Sequence, residues 1–473
     1  MARRDIHTMR HDYRARGRMM LSALALAALG TTGACHSISD PLLQTTDPDI
    51  INPKDIATSD GAEAQRIGAL GRLRDMTTSD GSIGQESMWM LDGLLADEWK
   101  SSDTFQQRDE TDQRNVDPTN SIYTPAFRYI HRTRLAANQA IIGLRAYRPA
   151  PASNIGLMFF ARGFAELQSA QSVCDGQIFS DATKEPIEYG SPISTTAAFQ
   201  LAAASFDSAT ANAGTDAGAA TVLNLARVAK ARALLGLKQY AAAGALVAPV
   251  PTNFTYNLTF AQVTGDNGLW SLNNSARRYT VQDSIERNGS GTLTIPNALP
   301  FVSAKDPRVP TTRTSNNQRG FDGVTLYDGQ TLWPTRESPV PLLNGIEARL
   351  IEAEAALQAS DPATFMTKLN ALRAPTGAGS GGVAGLAPLA DPGTQVDREN
   401  LLFRERAFWM FGRGTRTFDL RRLIRDYGRP ATSFPGSGAP FFKGGSYGKH
   451  VALPIPQAEL NNSNAKACDP TKA

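Results

Sequence analysis

The stretch ENLLFRERAFWMFGRGTRTFDLRR, residues 399–422, interleaves aromatic and ionic side chains at helical spacing and then breaks at paired glycines. It reads as a helix over 398–411 that runs into a basic turn, Gly412-Arg413-Gly414-Thr415-Arg416, and on into Asp419-Leu420-Arg421-Arg422. Phe403, Phe408, Trp409 and Phe411 are expected to fill core space between helices. Glu405, Arg406, Asp419 and Arg421 are expected to form a buried or half-buried ion network joining this helix to the chain's tail. Such networks fix geometry and add little net stability, so the expected role of these residues is structural.

Working outward, LLNGIEARLIEAEAALQ (342–358) places Leu343, Ile346, Leu350, Ala353 and Leu357 on one helical face, with Glu347 and Glu354 on the other. Alanine-rich helices are expected over 197–211 and 219–247. In the second, Ala229, Ala233, Gly236, Tyr240 and Ala243 recur at three- and four-residue steps, and such small side chains let paired helices approach closely. The pattern resembles a tetratricopeptide repeat, without a strict 34-residue period. A further helix is expected over 155–173, closed by Cys174-Asp175-Gly176, and helical signals run with interruptions from 58 to 144. Between 249 and 341 the periodicity fades and Gly, Asn, Thr and Pro rise, as in a region of loops and short strands. The tail LPIPQAELNNSN (453–464) carries Pro454 and Pro456, which stiffen an extended segment. Fold class is therefore mostly α: a tetratricopeptide-like helical scaffold with a long loop and short-strand insertion.

The chain has 473 residues, a formal charge of +3 and three cysteines. Both the charge and the odd cysteine trace to the N-terminus. Residues 1–18 carry six arginines, and MMLSALALAALG (19–30) is an apolar run too short to cross a bilayer but suited to a signal peptide. Small residues then lead to Cys35, which resembles the lipobox of bacterial lipoproteins, with Thr32 where that pattern prefers Leu. An ordinary secretory signal is the plainer alternative. Removing 1–34 leaves 42 basic against 43 acidic residues, so the basic charge belongs to the leader and gives no hint of nucleic acid. Residues 36–54, broken by Pro41, Pro48 and Pro53, read as a tether. Lipidation of Cys35 leaves Cys174 and Cys468 as an even pair in an oxidising compartment, either joined or both free.

Enzyme signatures fail on context. Gly444-Gly445-Ser446-Tyr447-Gly448 matches a nucleophile elbow but leads to Pro454 rather than to a helix, and Gly377, Gly379 and Gly382 follow a helix and Pro375 rather than a strand. Beyond the leader only His36, His131 and His450 remain, none with a partner at metal-ligand spacing. No metal and no cofactor is expected. Paired acids such as Asp97-Glu98 leave glycoside hydrolysis open, although helix-surface charge is the commoner explanation.

Taken in order, Glu352-Ala353-Glu354-Ala355, Glu405-Arg406, Asp419-Leu420-Arg421-Arg422 and Pro454-Ile455-Pro456 with Glu459 resemble the SusD/RagB family of outer-membrane nutrient-binding lipoproteins. Asp306-Pro307-Arg308 and Asn138-Gln139-Ala140-Ile141-Ile142 add weaker echoes. The turn at 412–416 departs from the family pattern in lacking a glutamate. The resemblance implies one helical domain over 55–473, with its loop-rich insertion at about 249–341, behind the leader (1–34) and the lipid-anchored tether (35–54). It also implies a non-enzymatic protein on the outer membrane facing the exterior, anchored through Cys35. Such a protein would pass an oligosaccharide or similar nutrient to a SusC-like TonB-dependent transporter. Peptide or other cargo on the same scaffold, or a lipid-anchored glycoside hydrolase, are the alternatives. Sugar binding needs flat aromatic faces beside planar polar groups, which makes the loop aromatics Trp99, Trp270, Tyr327 and Trp333 the candidate ligand contacts. Packing beneath long loops is the competing reading for each ring. Trp89 and Trp409 read as core.

Overall fold

In the computed structural model, residues 56–473 are described except 80, 82–85, 289–292, 314 and 316. The leader (1–34), Cys35 and the tether lie outside the described residues. The helices are α1 (Ser59–Thr78), α2 (Met88–Leu95), α3 (Gln106–Asp112), α4 (Tyr123–Tyr147), α5 (Ala152–Ser172), α6 (Thr195–Ala211), α7 (Ala219–Gly236), α8 (Tyr240–Val247), α9 (Gly345–Gln358), α10 (Pro362–Arg373), α11 (Gln395–Trp409) and α12 (Arg416–Arg425). Their packing is mostly sequential: α1 on α4, then α4 on α5, and each following helix on the next through α10. None of the described helices is long and apolar enough to cross a membrane.

Small residues set these approaches. A Cβ on Gly236 of α7 would lie 2.7 Å from the Phe199 ring of α6, and one on Gly244 of α8 would lie 2.6 Å from Ala355 of α9. The alanine and glycine steps therefore bring helix axes close, as their spacing implied. Two boundaries differ from the sequence reading. The helix expected over 219–247 is two helices, because the chain turns at 237–239 with Lys238 at a positive φ of 59°. Leu343, expected on a helix, lies in a strand, because the Asn344 side chain accepts the Glu347 N–H and so caps α9 after it.

The insertion carries short antiparallel pairings. Strand β1 (Trp99–Ser101) pairs with β3 (Tyr279–Val281), and β2 (Thr255–Leu258) with β8 (Val340–Asn344). Two-residue pairs complete it: β4 (Ile285–Glu286) with β5 (Leu293–Thr294), and β6 (Thr311–Thr312) with β7 (Gly329–Gln330). Residues Ala57–Ala473 make one compact unit.

The ion network differs in its partners from the one expected. Arg406 and Asp419 do pair, at 2.8 and 3.0 Å, but Asp419 takes its second cation from Arg422, which also binds Glu354 of α9. Glu405 instead holds Arg308 and Arg373, tying the Asp306-Pro307-Arg308 loop and α10 to α11. Arg421 meets no carboxylate. It donates to the carbonyls of Ala170, Gln171 and Val173, at the C-terminal end of α5. The cause is helical geometry: on α12, residues 419 and 422 share a face and 421 turns away from it.

The tail is tied back beside this cap. Leu453 accepts from the Cys174 N–H and donates to the Ser172 carbonyl, and the structure joins Cys174 to Cys468 by a disulfide. In the turn at 412–416, Glu98 from the α2–β1 junction accepts the Gly412 N–H at 2.9 Å, and Arg416 clasps Asp97 at 2.6 and 3.0 Å. A distant carboxylate thus serves the turn that lacks its own.

Candidate functional site

The four loop aromatics go mostly inward. Trp99 is 0% exposed, tilted against Phe411 at 5.0 Å, and meets Trp333 over Gly412, where a side chain would crowd both rings. Tyr327 is buried, and its hydroxyl donates to the Asn273 carbonyl. Trp333 is 6% exposed and lines a small cleft, while Trp270 is half-buried in a helical turn begun by Asn267. As open stacking faces, Trp99 and Tyr327 are excluded by this burial. Loops of this length need apolar anchors, and the largest rings supply them.

Two rings that reach solvent close to one another are phenylalanines. Phe105 begins α3 and is 41% exposed, and Phe321, in the loop before β7, is 51% exposed. Between them sits the Arg278 guanidinium, 3.9 Å from the Phe321 ring centre and 5.2 Å from that of Phe105, held by Asp103 at 2.7 Å. Asp103 also pairs with Arg108, which with Tyr279 secures the buried Glu86. The platform under the two rings is therefore rigid.

Lys443 extends it. Its ammonium donates to the Asp103 carbonyl (2.8 Å), Asp109 (2.7 Å) and Asp322 (3.1 Å), and the neighbouring Phe442 ring is half-buried over Lys100 at 3.9 Å. Three separate loops, at 103–106, 319–326 and 440–446, thus converge on one patch. None of its rings stood out in the sequence. The available signal was a phenylalanine in a polar, Gly-rich context with no helical or strand periodicity: DTFQQ, RGFDG, FFKGG.

Adjoining the patch, from Gln106 and Asp109 along α3 to His450 and Pro454 of the tail, runs a cleft of about 490 Å³, within the range of small-molecule sites. Its wall presents Gln106, Asp109, Glu110, Gln113 and Asp117. Burial raises the Glu110 carboxyl, against the hydrogen bond from Asn120, whereas Thr119 lowers Asp117 by hydrogen bonding. Burial lowers the His450 imidazole, so it is neutral at neutral pH and accepts the Val116 N–H on Nδ1. Among the described residues no group of three or more His, Cys, Asp or Glu side chains is placed to hold a metal. Amides and carboxylates beside exposed rings can hydrogen-bond vicinal hydroxyls while a ring covers the apolar face of a sugar.

No family model matches this chain, and no curated protein matches it. Solved structures do share its fold. A surface glycan-binding protein A from Bacteroides uniformis is 14% identical, over 88% of this chain and 100% of that one, with a TM-score of 0.60. A SusD-like protein from Bacteroides fragilis is 12% identical over 89% and 98%, also at 0.60. A SusD-like carbohydrate binding protein from Bacteroides vulgatus is 13% identical over 77% and 83%, at 0.54.

Proposed function

Starting from a chain that has the SusD-like fold, we propose that it is a cell-surface glycan-binding protein that hands an oligosaccharide to a SusC-like TonB-dependent transporter of the outer membrane. The observation that carries the ligand class is the exposed Phe105–Phe321 pair braced by Arg278 at the end of a polar cleft. Similarity of fold to structures described as glycan- or carbohydrate-binding supports the same class. Anchoring through a lipid on Cys35, with the body facing outward, rests on the lipobox resemblance and the motifs at 352–355, 405–406, 419–422 and 454–459. The reading is binding rather than catalysis, which the engagement of Asp109 by Lys443, Glu110 by Asn120 and Asp117 by Thr119 in the cleft supports.

The test is titration of the protein without its leader against a panel of neutral and acidic oligosaccharides, with product analysis of each mixture. A glycan should bind without being cleaved, and Phe321→Ala should weaken it about tenfold or more, the loss of one stacking face and its cation–π brace. Binding unchanged by Phe321→Ala and Phe105→Ala together would move the site elsewhere, cleavage would make the protein a hydrolase, and binding of peptides instead would reassign its cargo.

A further inference from the structure

A smaller cleft, of about 160 Å³, lies where the β8–α9 junction, the loop after α10 and the end of α11 meet. Its walls include the rings of Trp333, Phe408, Trp409 and Phe411. Two buried donors on its lining residues have no hydrogen-bond partner among the described residues: Nη1 of Arg413 and Nε1 of Trp409. Arg413 is only 4% exposed. Its Nη2 donates to the Trp409 carbonyl at 2.7 Å and meets the Met410 sulfur at 2.8 Å, and among the described residues no carboxylate stands within ion-pair distance.

This sets Arg413 apart from the other buried arginines. Arg232, Arg308, Arg406, Arg416 and Arg422 each meet a carboxylate. Arg421 lacks one but has three carbonyls, and Arg114 has two carbonyls and a hydroxyl. Burial pulls the Arg413 pKa down to about 10, with Glu347 and Glu98 compensating only from a distance and Arg232 opposing. A guanidinium desolvated without a counterion is unfavourable, and a carboxylate that accepts from Nη1 would relieve it with a charge-assisted hydrogen bond. Arg308, on the same cleft, is already neutralised by Asp306 and Glu405, so the site as a whole keeps one unbalanced positive charge.

We propose that this cleft binds a compact carboxylate-bearing ligand, its carboxylate on Arg413 and its body against Trp333 and Trp409. The volume admits about one ring. The carboxylate could belong to a uronic acid residue of a glycan or to a free small acid, and the chemistry at Arg413 is the same for both. The proposal does not depend on the Phe105–Phe321 surface.

Tryptophan fluorescence of the leaderless protein, titrated with glucuronate, benzoate, the methyl ester of glucuronate and glucose, tests it. A saturable change is expected with at least one of the two acids and with neither neutral sugar; the acid that saturates identifies the source. Arg413→Gln should weaken that binding at least tenfold. Val383→Trp, which fills the cleft from the half-exposed loop after α10, should abolish it while leaving the thermal midpoint near that of the wild type. If Arg413→Gln does not fold, Val383→Trp decides the matter. No saturable response to either acid, an equal response to the methyl ester, or undiminished binding in Val383→Trp would overturn the proposal.

Discussion

Arg232 of α7 and Glu347 of α9 form a bidentate pair at 2.6 and 2.6 Å with both side chains fully buried. Removing one partner strands the other charge in the core, whereas removing both strands none. Arg232→Met should therefore cost about 3–5 kcal/mol in denaturant unfolding, and adding Glu347→Leu should recover most of that loss. Glu98 gives a pH-dependent case. Burial, reinforced by the nearby Asp97 charge, pushes its carboxyl up to about 8 against the hydrogen bond from Gly412. A carboxyl whose folded pKa is raised favours the folded state fully below its unfolded pKa of about 4.3, and that contribution fades as the pH climbs to the folded value. Glu98→Gln keeps an oxygen for the Gly412 N–H and removes the titration. Its thermal midpoint should move above that of the wild type by roughly 2 °C or more at pH 8 and much less at pH 5. A constant gap across that range would count against a protonated Glu98. At this scale the sequence revealed which residues are ionic but not how they pair: Glu347 and Glu354 looked like a polar helix face, yet both are buried against arginines from other helices.

Among the elements, the junction of α5 with the tail joins segments far apart in sequence. The Cys174–Cys468 bond spans 294 positions, and the parallel bridge between Val173 and Leu453 lies beside it. A cross-link over so long a loop acts mainly by restricting the unfolded chain. Cys468→Ser should lower stability by about 2–4 kcal/mol, and thiol titration in denaturant, on a chain that begins after Cys35, should find no free thiol before reduction and two after it. Helix existence was legible from apolar spacing, as at α5, α6 and α9. The break at Lys238 was not, since Gly236 beside it read as a close-packing step within one helix and not as its end; helix α8 turns there to seat Gly244 on Ala355. Gly244→Val should cost about 1–3 kcal/mol by overpacking that contact, whereas Gly428→Ala, which has open space around it, should cost only its positive-φ strain.

For the molecule as a whole, the proposed lipid anchoring rests on Cys35. Cells fed a labelled fatty acid should transfer label to the wild type and none to Cys35→Ala, and the variant should leave the membrane fraction. A label retained by Cys35→Ala would end the lipoprotein reading. The mostly helical class, the loop-rich region and the family-like motifs could all be read from local composition and spacing, because each depends on residues within a turn or two of one another. The proposed ligand surface could not. Trp99 and Phe105 sit six positions apart with similar polar neighbours, yet the first is sealed under Phe411 and the second faces water beside Arg278. Burial of a ring is decided by what distant segments lay over it, and only the folded chain brings 103–106, 319–326 and 440–446 to one patch. The same holds for Arg413: its charge is written in the sequence, but its lack of a counterion is a property of the packed interior.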